Sequence, residues 1–120
     1  NKDTVFSLSE RIKLTRKSLI NVDNVEVCGF DGLLVNFAKT LNAKVILRGL
    51  RVVSDFEYEF QMSSMNKKLN NDIESIFLTP SESYAFLSSS LVKEIAKLGG
   101  DISPFVSQDV KMALEKKYKK

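Results

Sequence analysis

Hydrophobic and polar positions along the chain follow two periods, one of about two residues and one of about 3.6, which indicates strands interleaved with helices. Short apolar runs bounded by turn residues predict three strands, over residues 24–28, 43–47 and 74–78. Apolar residues at helical spacing predict five helices, which run from Ser7 to about Ile20, over 33–41, from Ser54 to about Leu69, over 91–98 and over 108–118. The predicted order is therefore α-β-α-β-α-β-α-α.

The ends of these segments carry their own signals. Ser7 and Ser54 each stand three residues before a glutamate, which is the pattern of a capping box at the start of a helix. Gly99 and Gly100 end the fourth helix, because glycine tolerates the left-handed backbone that follows a helix. Strands that alternate with helices form right-handed crossovers, so the order predicts an α/β fold with a parallel sheet and helices on both faces.

Composition narrows the class of protein. The chain has 120 residues, 43% hydrophobic and 28% charged, which predicts one globular domain over 1–120 and excludes collagen-like and disordered classes. No stretch approaches the ~20 apolar residues of a membrane span, so we expect no membrane partner.

Cys28, the single cysteine, lies in the first predicted strand, where we expect a small core residue in a reducing, cytoplasmic compartment. The absence of histidine excludes imidazole acid–base chemistry and histidine-ligated metals from these residues.

The basic charge of the chain is concentrated at its end. The net charge is +3, and four of the last five residues are lysines. Without these four lysines, 14 basic residues face 15 acidic ones, so the rest of the chain has no basic excess. We interpret the lysines as a solvated, frayed end of the chain. Nucleic-acid binding is the weaker alternative, because no aromatic residues are interleaved with basic ones, and we expect no nucleic-acid partner.

Two arginines follow the second predicted strand. Arg48 and Arg51 are three residues apart with Gly49 between them. Ligands of parallel sheets bind beyond the carboxyl ends of the strands, and each guanidinium can donate two parallel hydrogen bonds to a phosphate. The spacing therefore indicates a phosphate site. The alternative is a pair of surface arginines bound to Asp55 or Glu57.

A second candidate segment precedes the fourth helix. Residues 84–90 read YAFLSSS, and the three serines stand at the predicted start of the helix. Their hydroxyl groups and the free backbone N–H groups of a helix start favour an anion. The alternative is ordinary capping of the helix, for which one serine suffices.

Other patterns are less informative. Phe56, Phe60, Met62 and Met65 follow one another at helical spacing, which is more typical of core or subunit contacts than of a cofactor site. EF-hand, Walker and CxxC patterns are absent from the sequence.

Taken together, these motifs resemble a known family. Residues 45–62, VILRGLRVVSDFEYEFQM, closely resemble bacterial phosphopantetheine adenylyltransferase. The same holds for residues 88–95, SSSLVKEI, and for Gly29-Phe30 followed by Gly32-Leu33-Leu34. The resemblance extends in order over essentially all 120 residues.

The resemblance implies a fold and an activity. It implies a Rossmann-like nucleotidyltransferase fold, of which residues 1–120 would be the C-terminal three-quarters, without the N-terminal βα portion. It implies transfer of AMP from ATP to 4'-phosphopantetheine, which gives dephospho-coenzyme A and pyrophosphate in coenzyme A biosynthesis. It also implies Mg²⁺ as cofactor, a cytoplasmic homohexamer, and dephospho-coenzyme A or coenzyme A as product or inhibitor.

The resemblance also assigns roles to residues of this sequence. It places Arg48 on the phosphate of phosphopantetheine, Leu34 along the pantetheine channel and Lys2 near the reacting phosphates, although the sequence around Lys2 departs from the family pattern. It assigns ATP binding to a larger set, namely Gly49, Leu50, Arg51, Glu59, Tyr84, Ala85, Phe86, Leu87, Ser88, Ser89 and Ser90.

One family element has no counterpart in this sequence. The family carries a T/HxGH signature whose last histidine stabilises charge on the transferred phosphate, and this chain has no histidine. We therefore expect a truncated or partly represented enzyme whose 120 residues are inactive alone, with no catalytic residue and no metal ligand among them. The alternative is a nucleotide- or coenzyme A-binding module without catalysis.

Overall fold

The computed structural model describes residues 4–51 and 53–119, and for Val53 and Ser54 it describes the backbone alone. The elements of this described part are α1 (Leu8–Ser18), α2 (Leu34–Thr40), β1 (Val45–Gly49), α3 (Val53–Leu69), β2 (Glu74–Leu78), a 3₁₀ helix (Glu82–Tyr84), α4 (Ser89–Lys97) and α5 (Gln108–Tyr118). The prediction of an α/β fold with a parallel sheet is confirmed.

The helix predictions agree with the structure in position. The capping box at the start of α1 is present, because the Ser7 hydroxyl accepts from the Glu10 N–H at 3.1 Å and the Ser7 N–H donates to the Glu10 carboxylate at 2.9 Å. Gly99 has φ +80°, the left-handed backbone expected after α4. Helix α3 starts at Val53, one residue before the predicted cap, and the side chain of Ser54 lies outside the described residues.

The prediction of a strand over residues 24–28 is wrong. These residues have no regular structure, and Val25 and Cys28 are exposed, so the expectation of a core cysteine fails as well. In the described part of the chain β1 pairs with β2 alone, in a sheet of two strands. Without a neighbouring strand, the backbone of residues 24–28 has no strand with which to form hydrogen bonds. Instead, the Val27 carbonyl accepts from the Arg16 guanidinium at 2.9 Å.

The two strands run parallel, and α3 connects them. Their register pairs Val45 with Glu74 and Gly49 with Leu78. Parallel neighbours need a long crossover, which α3 supplies as it packs against β2. Strand β1 ends later than predicted and includes Arg48 and Gly49, so Arg48 belongs to the sheet and not to the loop after it.

The two faces of the sheet differ in burial. Alternate residues share a face, and the buried Ile46 therefore lies on the same side as Arg48. Ile46 packs with Val35, Ala38 and Ile73 into one core. The opposite face presents aliphatic side chains that are 48–61% exposed, namely Val45, Leu47, Ile76 and Leu78.

The described chain divides into two compact units. One comprises Phe30–Leu87 and holds the sheet with α2 and α3. The other comprises the described residues up to Gly29 and from Ser88 onward, and in it Val92, Ile102 and Leu114 are buried. Among the described residues, no helix combines the length and the apolar character that a membrane crossing needs. The prediction of one domain over 1–120 stays a prediction.

Substitutions at two isoleucines should show which side of the sheet unit stabilises it. Ile73 is 1% exposed and Ile76 is 48% exposed. We expect Ile73→Ala to lower the free energy of unfolding by about 2–5 kcal/mol, because it leaves a cavity in the core. The matched control Ile76→Ala should cost only about 1 kcal/mol, since half of its side chain already contacts water. Urea unfolding measures both values, and equal losses would contradict this description of the core.

Candidate functional site

A buried carboxylate holds the guanidinium of Arg48. The Arg48 Nε donates to Glu59 Oε1 at 2.6 Å, and its Nη2 donates to Oε2 at 2.7 Å. Strand β1 supplies the arginine and α3 supplies the glutamate. Glu59 is 8% exposed, whereas 47% of the Arg48 side chain is exposed. Charge-assisted bidentate pairs of this kind are strong and directional, so the pair fixes the plane of the guanidinium.

The pair also sets the charge of the glutamate. Hydrogen bonds from Arg48 lower the pKa of Glu59 below its ordinary value, against a smaller opposing effect of burial. Glu59 is therefore ionised at neutral pH, and Arg48 keeps its positive charge. The charges of the pair do not change over the physiological pH range.

A cavity of about 230 Å³ with polar and apolar walls lies beside this pair. Arg48 and Glu59 contribute to its wall, and the other lining residues are Leu34, Tyr58, Met62, Ser63, Asn66, Ser75 and Phe77. Asn66 is only 9% exposed, so it presents a polar side chain at a buried position. The combination of an aromatic and aliphatic wall with a guanidinium suits a slender molecule with an anionic end.

Arg51 joins two segments that are far apart in the sequence. Its Nη1 donates to the Leu87 carbonyl at 2.7 Å, and its Nε donates to Asp55 at 3.0 Å. The N–H of Leu50 donates to the Leu78 carbonyl at 2.8 Å, which continues the pairing beyond the strand ends. The structure thus brings the 49–51 segment to the end of the 84–87 segment within one unit.

The 84–87 segment follows the 3₁₀ helix in a tight turn. The Leu87 N–H donates to the Tyr84 carbonyl at 3.1 Å. Ala85 is half-buried, whereas Tyr84 is 50% exposed and Phe86 is 83% exposed. The aromatic rings of Tyr84 and Phe86 are therefore accessible to a ligand.

The three serines begin α4 in the other unit. Ser88 is the N-cap, and its hydroxyl accepts from the Leu91 N–H at 3.1 Å. Ser89 and Ser90 stand exposed in the first turn. The capping interpretation therefore applies to Ser88, and the hydroxyl groups of the other two serines are accessible.

The alternative interpretation, in which both arginines pair with carboxylates at the surface, is correct for one of them. Arg51 does pair with Asp55, as the surface-pair interpretation expects. Arg48 pairs with Glu59, which that interpretation did not name, one helical turn away from Asp55. Lys2, the remaining predicted site residue, lies outside the described residues.

Comparison with known proteins identifies the family. The family model described as cytidylyltransferase-like matches residues 1–95. The chain is also 57% identical to the phosphopantetheine adenylyltransferase of Methylococcus capsulatus (strain ATCC 33009 / NCIMB 11132 / Bath) over 117 residues, which are 98% of this chain and 72% of that protein. This chain belongs to the phosphopantetheine adenylyltransferase family. It is accordingly a member of the nucleotidyltransferases, as the motifs of residues 45–62 and 88–95 indicate.

Sequence reasoning missed the pairing of Glu59 with Arg48 at this candidate site. Glu59 was expected at the nucleotide, yet its two carboxylate oxygens bind Arg48. The spacing of 11 residues between them crosses from a strand to a helix, so no local pattern relates the two side chains. Asn66 was missed for the same reason, since its helix position alone does not reveal the cavity. The signal available in the sequence was the spacing of Glu59, Ser63 and Asn66, which are four and three residues apart and therefore share one face of α3.

Two of the lysines at the end of the chain belong to a helix. Lys116 and Lys117 belong to the last turn of α5, and Lys117 pairs with Glu10 at 3.3 Å. They line a cavity of about 650 Å³ together with Ala113 of α5 and with residues of α1 and its approach, namely Phe6, Glu10, Lys13, Leu14 and Lys17. The expectation of a frayed end is therefore wrong for these two lysines, because both lie in a regular helix, although both are exposed as a solvated end would be.

Unfolding at acid pH should show how much the Arg48–Glu59 pair stabilises the fold. Because its pKa is lowered in the folded state, Glu59 stabilises the fold fully above the ordinary pKa of about 4.5, and the contribution is lost as the pH falls through the lower folded-state value. At pH 7 we expect Glu59→Gln to cost about 1–2 kcal/mol, a range that allows for the exposure of Arg48. Below about pH 4.5 the difference from the wild type should shrink.

Urea unfolding at stepwise lower pH measures this difference. The matched control is Glu57→Gln, which removes the same charge from the same helix at an exposed position. It should change stability by less than about 0.5 kcal/mol. A loss for Glu59→Gln that matches the control, or that is independent of pH, would contradict the assignment.

Proposed function

We propose that this chain serves the adenylyl transfer for which its Methylococcus relative is named, from ATP to 4'-phosphopantetheine, with dephospho-coenzyme A and pyrophosphate as products. The observation that carries this proposal is the Arg48–Glu59 pair beside a cavity lined by Leu34, in a chain of this family. The guanidinium in the wall of this cavity can bind the terminal phosphate of an acceptor. The binding module without catalysis remains the alternative outcome of the test.

The proposed reaction needs positioning and charge stabilisation. A phosphate oxygen of the acceptor attacks the α-phosphorus of ATP and forms a new P–O bond. The bond from the α-phosphorus to the bridging oxygen breaks, and pyrophosphate leaves with the electron pair. No covalent bond to the protein forms, so the residues act by holding two polyanions in line. The chain has no histidine, so its contribution is to bind and orient.

Acceptor binding is assigned to three residues. Arg48 takes the terminal phosphate, because its guanidinium is planar and permanently charged. Leu34 lines the same cavity and contacts the aliphatic part of the acceptor. Lys2 is assigned to the reacting phosphates on the family resemblance alone.

ATP binding is assigned to segments that meet at Arg51. Its bond to the Leu87 carbonyl supports a common role for the 49–51 and 84–87 segments. The exposed rings of Tyr84 and Phe86 suit stacking on a base. In this unit the proposed ATP residues are Gly49, Leu50, Arg51, Tyr84, Ala85, Phe86 and Leu87. Ser88, Ser89 and Ser90 are assigned to ATP on the family resemblance alone. The resemblance also implies Glu59, but its carboxylate accepts from Arg48, so we do not assign it to ATP.

The proposed cofactor is Mg²⁺, which enters with ATP. The part of the chain that the structure describes holds no group of three or more acidic, cysteine or histidine side chains suited to a metal. Mg²⁺ is commonly held by substrate phosphates and water rather than by a protein cage. When bound, the ion neutralises charge on the triphosphate.

Dephospho-coenzyme A or coenzyme A is the proposed product or inhibitor, and the cytoplasm is the proposed location.

The exposed side of α3 supports self-association. The rings of Phe56 and Phe60 stack with centroids 5.9 Å apart and are 49% and 58% exposed. Tyr58 and Met65 are 59% and 61% exposed on the same helix. Aromatic residues and methionine are enriched in subunit interfaces, so we assign this helix to contacts between copies in a homohexamer.

Steady-state kinetics of the complete protein test the proposed reaction. With ATP, Mg²⁺ and 4'-phosphopantetheine, it should release pyrophosphate and form dephospho-coenzyme A, whereas the 120 residues alone should be inactive. Arg48→Ala should raise the KM for 4'-phosphopantetheine by about ten- to hundred-fold, and Arg51→Ala should do so for ATP, since each loses a charge-assisted phosphate contact.

The two arginines serve as controls for each other. Equal effects of both changes on both substrates would show that their assignment is wrong. Binding of both substrates by the complete protein without pyrophosphate release would favour the binding module.

The oligomeric state tests the role of α3. We expect Phe60→Glu to lower the mass measured by light scattering from a hexamer to smaller species, because it places a charge in an apolar contact. The control Leu98→Glu adds the same charge at a side chain that is 81% exposed after α4 and should leave the mass unchanged. A Phe60→Glu variant with the wild-type mass would exclude this helix from the interface.

A further inference from the structure

The Glu59 carboxylate binds one edge of the Arg48 guanidinium. Its two oxygens accept from Nε and Nη2, which form the side edge of the planar group. A guanidinium has five N–H groups, and these two bonds use two of them. One N–H of Nη1 and the remaining N–H of Nη2 form the end edge, which can donate to a second bidentate anion at the same time.

Glu59 is more buried than the guanidinium that it holds. Glu59 is 8% exposed on α3, and α3 packs against β2, whereas 47% of the Arg48 side chain is exposed. A free arginine side chain samples many rotamers, and fixing it during ligand binding costs affinity. A carboxylate that fixes the guanidinium beforehand removes most of this cost.

We propose that Glu59 is a positioning residue, which holds Arg48 so that its end edge receives the phosphate of the acceptor in the 230 Å³ cavity. This inference rests on the proposed function. It differs from a direct contact between Glu59 and the nucleotide, because both oxygens accept from Arg48 and the residue is only 8% exposed, which leaves little surface for another partner. An ionised carboxylate beside a triphosphate would also repel it. The effect of Glu59 on the reaction therefore passes through Arg48 to the acceptor.

Two substitutions separate position from charge. Glu59→Asp keeps the negative charge but shortens the side chain by one methylene group, which breaks the bidentate geometry. Glu59→Gln keeps the length but removes the charge and replaces one acceptor by a donor. Glu57→Gln, on the same helix and exposed, is the matched control.

Kinetics and calorimetry on the complete protein read out the effect. We expect Glu59→Asp and Glu59→Gln to raise the KM and the Kd for 4'-phosphopantetheine by about ten-fold, with the KM for ATP within about two-fold of the wild type. The control should match the wild type for both substrates. In the Arg48→Ala background, Glu59→Asp should add less than about two-fold, because the group that Glu59 positions is already gone.

Three results would overturn the inference. A wild-type acceptor KM and Kd for Glu59→Asp would show that charge alone matters. A rise in the KM for ATP instead would place Glu59 on the nucleotide, and additive losses in the double variant would show that it acts independently of Arg48. A wild-type protein that neither turns over nor binds 4'-phosphopantetheine would instead overturn the proposed function, and this inference with it.

Discussion

The bidentate bond between Arg48 and Glu59 connects the two parts of the unit on which the site depends, strand β1 and helix α3. An arginine on a strand and a carboxylate on the following helix can meet because the crossover lays α3 back along the sheet. The desolvation of Glu59 is offset by two charge-assisted hydrogen bonds, so a charged group is stable at a buried position. The result is a guanidinium with a defined plane at the wall of a small cavity.

The parallel arrangement explains why the candidate residues gather at one end of the sheet. Both strands have their carboxyl ends at the same edge, so the segments that leave them are neighbours. The bond from Arg51 to the Leu87 carbonyl is the physical link between those segments. A reaction between two polyanions requires fixed cations more than acid–base groups, and a chain without histidine can supply fixed cations.

Apolar surface is distributed unequally over the same unit. One face of the sheet is buried around Ile46, whereas the opposite face and the side of α3 with Phe60 and Met65 remain exposed. Exposed patches of this kind mark contact surfaces rather than the interior of one subunit. The helix thus has two different sides, one that meets the cavity through Glu59 and one with exposed apolar side chains, for which we propose contacts between copies of the chain.

Local signals in the sequence determined the helices, the strand over 74–78, the strand β1 to within two residues, and the family. Periodicity, caps and the residue order of a motif are properties of neighbouring residues. They failed at residues 24–28, where an apolar run without a partner strand forms no ladder. Tertiary structure alone decided that Arg48 meets Glu59 and that Lys117 meets Glu10. Ion pairs between different elements depend on how those elements pack, and a one-dimensional pattern does not contain that distance.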